Sequence, residues 1–402
     1  MKKENKKISI YSKVRSGLYS HVEQSEKKRF NRLVAAALST LLLASVLLFS
    51  AAVVETSAGK HVYVFGEYEQ KIRNDQAYSG KTLLIDMNTL ANYCGFEQSY
   101  SVNEASFSIN GTNATFTDGE SKAFINGIEI EMPAKASIKN GYCLIPASSV
   151  SELLYGVDIS VSKNNTLITI SKDTVYMIAK EPTIEYETDM SEYLEYLHSN
   201  DEYIFTLANK ENPLDRDFPE DKDSLIEIPA QYRKDSVIYL YSVAEKALEA
   251  MMNDMFALGY NDVYVTSAYR SYAYQEVLFN MYVEDEMESG LSYDAAVQKV
   301  MTYSSEPGKS EHQTGLCVDF TTKSIGGVVD DNFETTAVFS WLKNNAWKYG
   351  FILRYAEDKE EITGYTYESW HYRFVGVEKA SIIHQTGICY EEYLEIFENQ
   401  GE

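Results

Sequence analysis

Six histidines stand in the 402 residues (His21, His61, His198, His312, His371 and His384), so imidazole chemistry must draw on a short list. Two of them open nearly the same six residues, HQTGLC at 312–317 and HQTGIC at 384–389. Only the first continues into a ligand pattern. In SEHQTGLCVDF, Gly315 permits a turn between His312 and a strand on which Cys317 and Asp319 share one face, with Leu316, Val318 and Phe320 on the other. An acid amid an apolar strand is costly to bury unless it meets a cation. In YESWHYRF, Glu368 lies three residues before His371, and a turn-like backbone aims both at one point. A zinc hydrolase needs three protein ligands of nitrogen or oxygen type, an open position for water, and a carboxylate to take that water's proton. These residues are of the types required. After HQTGIC comes YEEYLEIF, in which Glu391, Glu392 and Glu395 alternate with Tyr393, Leu394 and Phe397 at helical spacing. Gly387 is therefore expected to end one helix before the next begins, and His384 to be a bystander.

The elements that must hold these residues are legible in outline. In YSVAEKALEAMMNDMFALGY (241–260), Ala247, Met251, Met255 and Leu248, Met252, Phe256 recur at helical spacing, and Gly259 supplies the stop. DVYVTSAYR reads as a strand and SYAYQEVLFNMYVEDEME as a helix; GLCVDFTT and WHYRFVG read as further strands, with the helix VFSWLKNNAWKYG between them. Strands and helices interleave without strict βαβ alternation, which predicts an α+β class with a central antiparallel sheet flanked by helices over 201–402.

Residues 61–180 read differently, as short strands broken by turns. Asn126–Gly127 is a type I′ hairpin signal, and Asn164–Asn165 separates DISVS from TLITIS. The stretch 83–109 aligns without gaps on 144–170, each copy reading strand, short helix, glycine, hairpin. Gly95 and Gly156 are expected as helix caps. The pattern resembles the domain named for the N-terminal region of copper amine oxidases, an accessory module of bacterial surface proteins. Its one histidine, His61, offers no copper site. A spacer or wall-binding module and an inert stalk are the two readings of it. Residues 181–200 are acidic, lack strand alternation, and read as a linker.

Residues 33–54 contain no charge, and a helix of 22 residues spans roughly 33 Å against a hydrocarbon core of about 30 Å. Residues 1–32 carry ten Lys/Arg against three Glu, so the basic arm is expected to stay cytoplasmic and everything beyond the single-pass helix to lie outside the cell membrane. A signal peptide cleaved after Ala52 or Ala58 is the rival reading. Beyond residue 32 stand 26 basic and 57 acidic residues, an excess that argues against nucleic acid as a partner and against simple adhesion to anionic polymers. Four cysteines (Cys94, Cys143, Cys317, Cys389) make no disulfide framework in so long a chain and are expected as small buried groups. Nothing in the sequence sets an oligomeric state.

SAYRSYAYQ, PGKSEHQTGLCVD and WKYGFILRYAEDKEEITGYTYESWHYRFVG, taken together, resemble the VanY-type D-alanyl-D-alanine carboxypeptidases, zinc peptidases that act on bacterial cell-wall stem peptides. The resemblance covers about 201–402 and rests on SxYRSxxxQ, SxHxxGxxxD and ExWH in that order. It implies zinc held by His312, Asp319 and His371, Glu368 as general base, and Arg270, Gln275 and Ser310 in binding a peptidoglycan stem. A free C-terminal carboxylate needs a cationic clamp in an acidic domain, a need that Arg270 with Ser310 or Gln275 meets. Arg373, on the strand face of His371, is a candidate support for it. The sequence departs from the family at Cys317, where Ala is usual, and at Ala356 and Ser369, where Pro is usual. An L,D-carboxypeptidase, an endopeptidase and a non-catalytic wall-binding protein are the alternatives.

Overall fold

The computed structural model describes residues 60–398, apart from 66–67, 74–77, 80, 140, 163–166 and 181. The basic arm 1–32, the apolar run 33–54 and the Asn164–Asn165 turn lie outside the described residues. Among the described residues no helix is long and apolar enough to cross a membrane.

Alternating burial organises the first module. In Thr112–Thr117 and Lys122–Ile125, Ala114, Phe116, Ala123 and Ile125 turn inwards while the residues between them face outwards. These strands belong to a five-stranded antiparallel meander running from Glu97–Tyr100 to Ile128–Glu131. Two four-stranded sheets accompany it, and the shared core includes Phe65, Leu90, Phe107, Phe116, Ile145 and Ile170. Asn126 and Gly127 both take positive φ, 52° and 82°, as the hairpin signal requires.

The internal repeat is a pair of strand-helix units. Thr82–Asp86 leads into the helix Met87–Cys94, and Tyr142–Pro146 leads into Ala147–Leu153; the two strands pair antiparallel with Ile85 opposite Ile145. The matched glycines nevertheless do different jobs. Gly95 ends the first helix as expected, but the second helix passes straight into the strand Leu154–Val161. Gly156 sits at a register shift in that strand with φ of 77°, where a Cβ would fall 2.0 Å from the Thr174 carbonyl oxygen. A bulge and a close backbone approach, not a helix cap, demand the glycine there.

The second module is built on one antiparallel sheet. Its strands are β1 (Val263–Ser267), β2 (Cys317–Thr322), β3 (Phe351–Leu353) and β4 (His371–Phe374), in spatial order β1-β2-β4-β3. Helix α1 (Ser242–Ala257) buries Ala247, Leu248, Met251, Met252 and Met255 in the same core as Val318, Phe320 and Tyr372. Further helices include α2 (Tyr272–Glu288), α3 (Tyr293–Val300), α4 (Ala337–Asn345), α5 (Val377–Thr386) and α6 (Tyr390–Tyr393). All six residues of β2 are buried, because one face meets this core and the other closes the floor of a cavity.

The acidic stretch read as a linker is a strap on this module. Met190, Tyr193 and Leu197 enter its core, and the Asp254 carboxylate of α1 accepts the N–H groups of Glu187 (2.9 Å) and Thr188 (2.8 Å). The hydroxyls of Thr188 and Tyr349 also donate to it. Between the modules, Gln385 of α5 bonds both backbone groups of Ala179, at 2.8 and 3.1 Å, and Tyr155 packs on Phe397 with ring centroids 4.3 Å apart. Removing a buried carboxylate that satisfies four donors strands those donors. Asp254→Ala is expected to lower the unfolding free energy by about 3 kcal/mol or more, measured by urea denaturation. A change within about 0.5 kcal/mol, the level of a surface substitution, would show that the strap does not depend on Asp254.

Candidate metal-dependent active site

His312 is presented by a single 3-10 turn, Glu311–Thr314, that enters from Ser310 and ends at Gly315 in the left-handed region. A Cβ on Gly315 would meet Leu225 at 2.8 Å, so both φ and space reserve this position for glycine. The next strand, β2, carries Asp319, and the sheet register sets Asp319 directly opposite His371 of β4 on one side and Ser267 of β1 on the other. Glu368 lies in the turn before β4, where the His371 N–H donates to the Glu368 carbonyl at 3.3 Å.

The side chains converge. One Asp319 oxygen is 2.9 Å from His371 Nδ1 and the other 3.2 Å from His312 Nε2, and Glu368 Oε2 is 3.8 Å from His371 Nδ1. The remaining nitrogen of each ring is already held: His312 Nδ1 is 2.6 Å from the Ala268 carbonyl oxygen, and His371 Nε2 is 3.1 Å from Glu311 Oε2. Such outer partners fix tautomer and ring orientation, leaving Nε2 of His312 and Nδ1 of His371 free to face Asp319. Two buried imidazole nitrogens and a buried carboxylate aimed at one point fit a divalent metal of the zinc type. Burial and the nearby Arg270 pull His312 down, yet Asp319 and Cys317 together raise it to about 9, and Asp319 is held well below the usual carboxylate range by the two rings despite its burial. Burial pushes Glu368 up to about 7, against the pull of His371.

Around this point opens a cavity of about 760 Å³ lined by Arg270, Ser310, Glu368 and Trp370 together with tyrosines that include Tyr269 just after β1, Tyr274 and Tyr282 of α2, and Tyr355 just after β3. The Arg270 backbone N–H donates to the His312 carbonyl at 3.1 Å, and its buried Nε has no hydrogen-bond partner among the described residues. Ser310 is buried on the same wall. Gln275, expected to bind substrate, does not line the cavity; its amide donates to the Ser305 carbonyl at 2.8 Å, so it props a wall segment. His384 stays on α5, stacked on Trp347 at 5.3 Å and remote from the cluster, and Gly387 ends that helix with φ of 68°. The two HQTG copies share a left-handed turn and nothing of their chemistry. The cysteines are all buried and free, but Cys317 is more than a filler: its sulfur lies within 4.8 Å of the donor nitrogens of His312 and His371.

Sequence reasoning missed Glu311. Its carboxylate is fully buried and takes hydrogen bonds from Arg354 Nε (2.9 Å) and Arg373 Nη1 (2.7 Å) besides meeting His371. Arg354 in turn grips Glu391 of α6 at 2.6 and 2.8 Å, and Arg373 donates to the carbonyls of Ile204 and Thr206. Burial would raise the Glu311 pKa, yet the two guanidiniums hold it far below the usual range. The available signal was an acid adjacent to His312 inside a turn otherwise destined for the core.

The fold and this site define a metallopeptidase of the cell-wall type. Residues 237–377 match the family model described as VanY, D-alanyl-D-alanine carboxypeptidase, and 66–171 match the copper amine oxidase N-terminal domain. The bifunctional D-Ala-D-Ala dipeptidase and D-Ala-D-Ala carboxypeptidase VanXYC of Enterococcus gallinarum is 32% identical over 190 residues, which cover 46% of this chain and 91% of the relative. The solved LdcB LD-carboxypeptidase is 35% identical, covers 48% of this chain and 86% of its own, and has a TM-score of 0.43. A solved VanY D,D-pentapeptidase variant in complex with Zn(II) is 31% identical, covers 48% of this chain and 99% of its own, and has a TM-score of 0.39. The chain belongs to the VanY family.

Because Glu311 aims His371, Glu311→Gln is expected to weaken zinc binding by about 10–100-fold in competition with a chelator. Its depressed pKa means that the carboxylate stabilises the fold above its unfolded pKa and loses that contribution as pH falls, so the variant should also show a flatter acid-unfolding profile. Wild-type affinity in the variant would detach Glu311 from the site. His384→Ala is expected to bind zinc with unchanged affinity by the same measurement.

Proposed function

We propose that this protein is a zinc-dependent carboxypeptidase that removes the C-terminal D-alanine from peptidoglycan stem peptides. The carrying observation is the meeting of His312, Asp319 and His371 in one cavity with Glu368 3.8 Å from His371 and Arg270 on the wall. Zinc, when bound by His312 Nε2, Asp319 and His371 Nδ1, supplies an electrophile and an activated water. Glu368 accepts the proton of the attacking water and returns it to the nitrogen of the leaving D-amino acid. Its burial, which pushes it up to about 7, keeps its basicity high enough for the transfer. Arg270, whose Nε lacks a partner among the described residues, pairs with the substrate's terminal carboxylate and so selects a free C-terminus.

The same reading extends to placement. The charge-free run 33–54 behind ten basic residues supports a single-pass anchor, with both modules facing the wall substrate. Protease added to intact wall-stripped cells should then remove the acidic modules while the basic arm survives. A fully soluble chain starting near Ala52 or Gly59 would overturn the anchor.

Defined tripeptide, tetrapeptide and pentapeptide stems separate the activities. Loss of one D-alanine from the pentapeptide is the expected result; cleavage of the tetrapeptide instead would replace the reading with an L,D-carboxypeptidase, and no cleavage of any stem by zinc-loaded protein would leave a binding protein. Glu368→Ala is expected to retain zinc and lose about 10²–10⁴-fold in kcat/KM. Because the base must be ionised, kcat/KM falls as pH drops through the Glu368 pKa, and a bound cation places that limb below pH 7. Arg270→Ala should cost about 2–5 kcal/mol of transition-state binding on a free-carboxylate stem and far less on its C-terminal amide. An equal loss on both substrates would show that Arg270 does not bind that carboxylate.

A further inference from the structure

The hydrolytic scheme leaves one member of the cluster without a task. Cys317 and Asp319 project from the same face of β2, and the Cys317 side chain is fully buried against the two rings. The donor atoms of His312, Cys317 and His371 all lie within 4.8 Å of one another. In a tetrahedral zinc site, with nitrogen about 2.0–2.1 Å and sulfur about 2.3 Å from the ion, donor atoms stand roughly 3.3–3.8 Å apart. Drawing the three together therefore takes side-chain shifts on the order of 1 Å, within what an ion gains from its ligands. The outer bonds of His312 Nδ1 to Ala268 and of His371 Nε2 to Glu311 leave the other nitrogen of each ring for a metal.

We propose that Cys317 Sγ is a fourth protein donor to this metal, so that the resting centre is a His312, Asp319, Cys317, His371 set. The inference rests on the metal site of the preceding subsection and changes what that site does between turnovers. Four protein donors make a closed centre, whereas hydrolysis needs one position free for water. Sulfur and water therefore compete for a single position. Binding releases the thiol proton to solvent; detachment of the sulfur takes a proton back and opens the position. A thiolate also turns an otherwise nitrogen-and-oxygen site towards soft divalent ions, zinc and cadmium, and away from manganese or magnesium.

The purified full chain in detergent, loaded with one equivalent of cobalt(II), tests this directly. A sulfur-to-cobalt charge-transfer band in the near ultraviolet is expected for the wild type, and its loss in Cys317→Ala and Cys317→Ser at unchanged cobalt stoichiometry. The variants also separate Cys317 from the three other buried cysteines. X-ray absorption of the zinc-loaded wild type needs no variant and should place one sulfur at about 2.3 Å from the metal. Bound metal with no sulfur scatterer and no charge-transfer band would overturn this inference and leave the hydrolase reading standing. A wild type that binds neither cobalt nor zinc would overturn both.

Discussion

The Glu311 carboxylate is the contact on which the rest of the second module turns. One of its oxygens receives the two guanidiniums, at 2.9 Å from Arg354 and 2.7 Å from Arg373, while the other meets His371 at 3.1 Å. A buried charge of this kind is tolerable only with its partners complete, and losing one partner typically costs 3–5 kcal/mol because the others are left uncompensated. The arrangement therefore makes the position of His371 a property of the whole module: the ring points where it does because β4, the turn at 311–314 and α6 are all in place.

The same network explains how so acidic a domain keeps cations at its centre. Beyond residue 32 acidic residues outnumber basic ones by 57 to 26, yet Arg354 and Arg373 are both fully buried behind the site and Arg270 lines the cavity in front of it. Each rear arginine is matched by a carboxylate or by carbonyls, so the positive charge there is spent on orientation. Among the described residues the Nε of Arg270 has no such match. Position, and not net charge, decides which cation is available.

The legibility of the site follows sequence separation. His312, Gly315 and Asp319 fall within eight positions, and Glu368 and His371 within four, so each group's chemistry can be read from a short local pattern. Glu311 was missed because its meaning lies in Arg354 and Arg373, 43 and 62 residues away. Gln385 was passed over for the same reason: its partner Ala179 is 206 residues distant, in the other module. The 61-residue repeat shows the converse, in that equal residue types at equal offsets gave a helix cap at Gly95 and a strand bulge at Gly156. Strand alternation already set Cys317 on the face of Asp319, but it read as an inert small residue because three ligands were complete without it; the folded structure brings its sulfur to the two rings. The strap at 187–197 was hidden by its acidic surface residues, among which three buried apolar side chains give too weak a period.

Residues 390–398 touch both modules at once: Glu391 holds Arg354, while Tyr155 of the first module packs against Phe397 and donates to the Ile396 carbonyl at 3.2 Å. This imposes a timetable on biogenesis. A chain emerging from the ribosome can complete the first module's core, which ends at Ala179, long before the second, but Arg354 lacks its second carboxylate until residue 391 has also emerged. Until that moment the ring of His371 is held by a half-built cage. The short segment that completes this cage is thus also the one that latches one module to the other.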